Sequence, residues 1–212
     1  MISGISESDP RNIDAGNFDV KSSIVDSLFG HYRYRRQTST YYIDILPIVD
    51  YSTYSLWFSR IKDENEVKTR LNTYLANTLT AVDMRLQTLQ LDGTTLRVKM
   101  ATPIISTDPS ASPYTEKIKV EVQNETRVSA PTLLRTFADW LEAQSNLPPH
   151  DHAMLFTSYD LVPSENPEEI LTAITKGLAN VGVMCKNGSV SLIEDKGAYQ
   201  SENVAAHELG HG

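Results

Sequence analysis

The run Glu202-Asn203-Val204-Ala205-Ala206-His207-Glu208-Leu209-Gly210-His211-Gly212 constrains this chain more than any other stretch. It contains the pattern H-E-x-x-H. On a helix, residues four apart lie one turn apart on the same face. The imidazoles of His207 and His211 can therefore meet at one metal ion. The carboxylate of Glu208, beside the first histidine, can reach a water at that ion. Two imidazole ligands and a carboxylate base are parts of a zinc peptidase site. A catalytic zinc takes three protein ligands and leaves the fourth position to water. The motif supplies two, and the sequence in hand stops at Gly212, so the third is expected in a missing C-terminal piece.

The remainder of the 212 residues must supply a core that holds such a helix, and that length suffices for one. No apolar run approaches the roughly 18 residues that a membrane span needs. The formal net charge is -8, with no dominant Lys/Arg cluster, which argues against nucleic acid or an anionic membrane as the main partner. Residues 1–10 lack the basic and apolar regions of a signal peptide, so the chain is either cytoplasmic or lacks its true N-terminus. One cysteine, Cys185, is too few for a disulfide framework. It is a buried or free thiol, or its partner belongs to the missing piece.

Residues 1–36 are polar and aperiodic, and Arg33-Tyr34-Arg35-Arg36 fits the R-x-R-R pattern of furin-like convertases; a domain boundary is placed there. Tyr41 to Asp50 reads as a buried strand, with Pro47 marking an edge or a bulge. Tyr51 to Arg60 is aromatic and turn-like, and reads as leading into a helix. Val67, Leu71, Tyr74, Leu75, Thr78 and Val82 recur at helical spacing. Leu96 to Met100 alternates as a strand, and Ile118 to Val122 is expected to form a hairpin with it. Ser129 caps a helix with the apolar face Leu133, Leu134, Phe137, Trp140 and Leu141. Ala153 to Thr157 is a short buried strand. Ile170 to Leu178 reads as helical. Val181 to Cys185 and Ser189 to Ile193 read as two strands joined by a turn at Asn187-Gly188. Ser201 is placed to cap the final helix. Strands alternating with helices predict an α/β domain, one central sheet flanked by helices.

Five of these stretches, in order, resemble the reprolysin (adamalysin) branch of the metzincin zinc proteases. They are Ile43 to Tyr51, His150 to Thr157, Gly177 to Cys185, Ser189 to Asp195 and Ala206 to His211. The resemblance covers about residues 41–212. It implies a mixed, mostly parallel sheet, the N-terminal subdomain of the metzincin fold, cut off within the zinc helix with its C-terminal subdomain missing. It implies a zinc-dependent endopeptidase acting on polypeptides, with His207 and His211 as zinc ligands and Glu208 as the base that moves a proton from the attacking water to the leaving amine. Residues 1–36 would be the end of a propeptide, with Arg33, Arg35 and Arg36 at its cleavage site, and 37–212 the incomplete catalytic domain.

The same resemblance places calcium ligands at Asp44 and Asp151, although Asp44 stands where the family has Glu. It makes Cys185 half of a disulfide. It implies an extracellular protein, secreted or at the cell surface, with membrane association only through absent segments. The sequons Asn124-Glu125-Thr126 and Asn187-Gly188-Ser189 acquire meaning in that setting. The strand near Ser189 to Ile193 is a candidate to pair with an extended substrate. With two ligands, the fragment itself is expected to be inactive. The alternatives are a truncated, non-catalytic protein-binding module of the same fold, or an unrelated α/β domain with an incidental motif. His150 and His152, spaced H-x-H, could form a second metal pair, but a loop entering a strand also explains them.

Overall fold

In a computed structural model of the chain, the structure describes residues 39–89, 91–169, 175–197 and 201–212. The expectations for Arg33, Arg35 and Arg36 lie outside them. At the centre are strands whose two faces are both apolar, β1 (Ser39–Val49), β6 (His152–Thr157) and β9 (Val190–Glu194). Near-continuous burial of that kind suits parallel strands covered by helices on both sides. With β2 (Thr94–Met100) and β8 (Gly177–Ala179) they form a sheet in the order β2-β1-β6-β9-β8. All its neighbours run parallel except β8, which is antiparallel to β9. The mixed, mostly parallel sheet is as expected.

The helices are α1 (Tyr51–Ile61), α2 (Glu64–Leu86), the single turn α3 (Pro113–Glu116), α4 (Ala130–Glu142) and α5 (Ser201–Leu209). Side chains alternate across the strands. Ile45, Val49, Met154, Phe156 and Ile193 face one way and bury the apolar stripe of α2, Val67, Leu71, Leu75, Leu79 and Val82, together with Ala205 and Leu209 of α5. Leu46, Ile48, Ala153, Leu155, Val190 and Leu192 face the other way, against Leu133, Leu134 and Phe137 of α4. Ser129 caps α4, accepting from the Thr132 N–H at 3.2 Å. Asp83 ties α2 to the outer strand β2, accepting from Arg97 Nη2 at 3.0 Å and from the Val98 N–H at 2.7 Å.

Several local expectations give way to tertiary pairing. Tyr51 to Arg60 is helix, because the Asp50 carboxylate accepts the Thr53 N–H at 3.0 Å and nucleates α1 directly at the end of β1. Of the edge or bulge expected at Pro47, the structure has the second: Pro47 sits inside the sheet, where the register slips by one residue, Ile45 opposite Met100 but Ile48 opposite Ile104. Ala101 N–H bonds the Ile45 carbonyl and Ser106 N–H bonds the Val49 carbonyl, so Pro47 falls between β2 and the two-residue β3 (Ile104–Ile105), where no ladder donor is required. Ile118 to Val122 contributes β4 (Val120–Val122), which pairs with β5 (Glu125–Ser129) and not with β2. With β7 (Asp160–Val162) these make a separate small sheet. The β4–β5 turn is Gln123-Asn124, both at positive φ, a geometry matched to the twist of a two-residue hairpin.

Val181 to Cys185 is a turn, not a strand. Gly182 and Cys185 have φ of 71° and 59°, and β9 pairs instead with β8. Of the helix expected at Ile170 to Leu178, residues 170–174 lie outside the described ones, and Gly177 and Leu178 are strand.

Candidate metal centre

The final helix lies on the α2 side of the sheet, fixed there by Ala205 and Leu209 in the core. The α-helical part ends at Leu209, and the chain then tightens: the His211 N–H bonds the Glu208 carbonyl at 3.2 Å, three residues back. The His211 carbonyl in turn accepts the Gly182 N–H at 2.8 Å, so the 181–185 turn closes over the end of the helix. Both imidazoles still emerge on one side, exposed, with ring centroids 4.7 Å apart and the two Nε2 atoms 3.1 Å apart. Two nitrogens each about 2.05 Å from a tetrahedral zinc lie about 3.3 Å apart. The pair therefore fits two positions of a zinc site. Among the described residues no group of three or more His, Cys, Asp or Glu side chains could hold a metal ion.

Glu208, between the two histidines in sequence, is buried: it is 6% exposed and its carboxylate lies against β8. A β-carbon on Gly177 would come within 2.6 Å of Glu208 Oε1 and 2.6 Å of Val204 Cγ1, so this strand position has room only for glycine. Burial raises the Glu208 carboxyl above its ordinary value, and the neighbouring His207 and His211 pull it partly back. A carboxyl raised in this way is better suited to hold and release a proton.

β9 cannot take a substrate strand, because β6 and β8 occupy both its edges. Among the described residues, the free edge beside the helix is that of β8. It escapes sequence reading because Gly177-Leu178-Ala179 is three residues long with a glycine, too short for a periodic signal.

Asp44 and Asp151 are adjacent: Asp151 Oδ2 accepts the Asp44 N–H at 2.8 Å, and the Asp44 carbonyl accepts the Asp151 N–H at 2.8 Å. One carboxylate thus closes the entry of β6 onto β1. Cys185 is an exposed free thiol whose N–H bonds the Asp151 carbonyl at 3.2 Å; partial burial, then the Asp151 carboxylate, raise its pKa. Asn124 is exposed at its hairpin tip, and Asn187 is exposed with its amide 3.3 Å from Glu142 Oε1.

The H-x-H pair does not make a second metal site. His150 Nδ1 lies 2.8 Å from the Pro148 carbonyl. His152 is fully buried, with Nδ1 2.9 Å from Ser189 Oγ and Nε2 2.9 Å from Ser191 Oγ, so hydroxyls engage both nitrogens. Burial, with a smaller contribution from His150, lowers its pKa from 6.5 to about 4. As pH falls through 6.5 the unfolded chain takes up a proton that the folded chain refuses until about 4, so stability is lost over that window. Between pH 7.5 and 4.5 urea denaturation should show about 2–3 kcal/mol less acid destabilisation in His152→Gln than in the wild-type chain. Equal losses in the two proteins would show that His152 is not the group responsible.

The model of the reprolysin-like metallopeptidase family M12B matches residues 72–212. A silkworm (Bombyx mori) protein, "A disintegrin and metalloproteinase with thrombospondin motifs like", is 31% identical over 189 residues, 85% of this chain and 26% of its own length. Human "A disintegrin and metalloproteinase with thrombospondin motifs 1" is 39% identical over 94 residues, 41% of this chain and 9% of its own. The cobra (Naja atra) "Zinc metalloproteinase-disintegrin-like atrase-A" is 35% identical over 83 residues, 37% of this chain and 12% of its own. The chain therefore spans about a quarter or less of the length of these relatives.

Proposed function

The chain belongs to the reprolysin-like family of M12B metallopeptidases, and on that premise we propose that it is part of the catalytic domain of a zinc-dependent endopeptidase that hydrolyses peptide bonds in polypeptides. The observation that carries the proposal is the pair of exposed Nε2 atoms 3.1 Å apart with Glu208 between them in sequence, set against an open strand edge. His207 and His211 would hold the zinc, and a third protein ligand would come from sequence beyond these 212 residues. When bound, zinc polarises the scissile carbonyl and makes a nearby water more acidic. Glu208, held over the edge of β8, accepts the proton of the attacking water and returns it to the leaving amine. An extended polypeptide adds to the free edge of β8, where main-chain hydrogen bonds fix the scissile bond beside the helix.

On the same reading the full-length protein is secreted or held at the cell surface. Cys185 bonds to a cysteine outside this chain, Arg33 to Arg36 form a propeptide cleavage site, and Asn124 is open to glycosylation. Asp44 and Asp151 donate oxygens to a structural calcium completed by other groups.

Glu208→Gln in the full-length protein tests the assignment. It keeps the shape of the side chain and removes the proton acceptor, so peptide hydrolysis should fall by about 10²–10⁴-fold with bound zinc unchanged. His207→Ala and His211→Ala should each lose zinc. Full zinc loading in the double histidine variant would overturn the metal assignment. The 212-residue chain alone, with two ligands, should bind zinc weakly and show no measurable hydrolysis. Binding of polypeptide without hydrolysis by the full-length protein would point instead to a non-catalytic module.

A further inference from the structure

The first turn of α5 is held by polar contacts that its own sequence does not supply. Ser201 opens the helix and is buried. Its hydroxyl lies 2.8 Å from Tyr74 Oη, and Tyr74, on the buried face of α2, donates its single O–H to Asp195 Oδ1 at 2.9 Å. With that proton committed, Tyr74 accepts from Ser201. Asp195, just past β9, also accepts the Gly197 N–H at 2.7 Å, while its own N–H bonds the Thr157 carbonyl of β6 at 2.7 Å. The carboxylate is thus anchored to the sheet.

A second tie leaves the same helix. Arg85, three turns further along α2, reaches Glu202 Oε1 at 3.1 Å and Asn203 Oδ1 at 2.6 Å. Residues 201, 202 and 203 are therefore all gripped from α2, whereas the histidines at the other end of α5 are exposed.

We propose that Tyr74, Asp195 and Ser201 form a directed hydrogen-bond relay, Ser201 to Tyr74 to Asp195, that sets the position of the helix bearing His207, Glu208 and His211, making these three positioning residues of the metal centre. The inference rests on the metallopeptidase reading for its consequence, but not for its geometry. His207 stands six residues, about 9 Å of helix rise, from Ser201. A tilt at the gripped end therefore displaces the imidazoles and moves Glu208 away from Gly177. Apolar contacts of Ala205 and Leu209 alone permit such a tilt, because burial is non-directional. The oriented hydrogen bonds are what select one angle. Arg85, partly exposed and screened, contributes less.

Amide hydrogen exchange on the 212-residue chain tests the relay without any metal. Tyr74→Phe and Ser201→Ala each remove one hydroxyl. Each should speed exchange at residues 204–209 about 10-fold or more, and leave β6 unchanged. Tyr54→Phe, another buried tyrosine, should alter neither. In the full-length protein Tyr74→Phe and Ser201→Ala should weaken zinc binding about 10-fold, in the range seen when groups that support metal ligands are removed. Unchanged exchange in α5 would overturn the relay. So would acceleration spread evenly over the sheet, which would mark a general loss of stability. Zinc affinity unaffected by His207→Ala would instead refute the metal assignment, and the exchange rates alone would then decide for or against the relay.

Discussion

Gly177→Ala is expected to disable the centre without emptying it. The added methyl would overlap Glu208 Oε1, Glu208 Cγ and Val204 Cγ1, at 2.6, 2.8 and 2.6 Å. The carboxylate can swing, but Val204 is β-branched and stiff at χ1, so relief requires the helix to shift or β8 to retreat. Either response moves Glu208 away from its place beside the strand edge. His207 and His211 are exposed and keep their mutual spacing. In the full-length protein kcat/KM should fall by about 10²-fold or more, the lower end of what a displaced general base costs, with zinc content retained. Overpacking should also destabilise the fold by about 1–3 kcal/mol. Hydrolysis within twofold of wild type would show that Glu208 does not depend on this seat.

Phe156→Ala should have the largest effect on stability. Phe156 is fully buried at the centre of the sheet, on β6, between β1 and β9. Its ring lies in the cluster that joins Val49, Tyr54 and Ile193 to the stripe of α2. Its carbonyl accepts the Asp50 N–H and the Thr53 hydroxyl, both at 3.2 Å, which ties the start of α1 to β6. A strand held on both sides cannot collapse into the space left by the ring, so the cost should be about 3–5 kcal/mol. For a unit of this size that lowers the Tm by roughly 6–20 °C in calorimetry. Phe58→Ala, at a position 36% exposed on α1, should change stability far less. Similar losses for the two would mean that this cluster is not the main core.

What is legible in the sequence is whatever repeats along a single element. The stripe from Val67 to Val82 identifies α2 because its apolar residues return every three or four positions, and burial on one face requires nothing else. Ser129 announces α4 because a cap is a local hydrogen bond. The departures share a cause. Asp50 reads as the end of a strand, although it is also the cap of α1. Val181 to Cys185 is apolar enough for a strand, yet Gly182 and Cys185 turn the chain and its neighbour is the end of the final helix. Pro47 signals an edge or a bulge because its missing N–H is visible in sequence, whereas the gap between β2 and β3 that accommodates it is not.

The same division runs through the candidate metal centre. Sequence alone determined that His207 and His211 share a side one helical turn apart, since a spacing of four residues and the 3.6-residue turn require it. It also determined the family, because several short matches kept their order. Only the tertiary structure decided that Glu208 rests against Gly177, that β8 rather than β9 offers the open edge, and that His152 is a buried neutral imidazole held by two serines. These depend on which strands lie side by side, and strand pairing is settled by the packing of distant segments, not by the residues next to them in the chain.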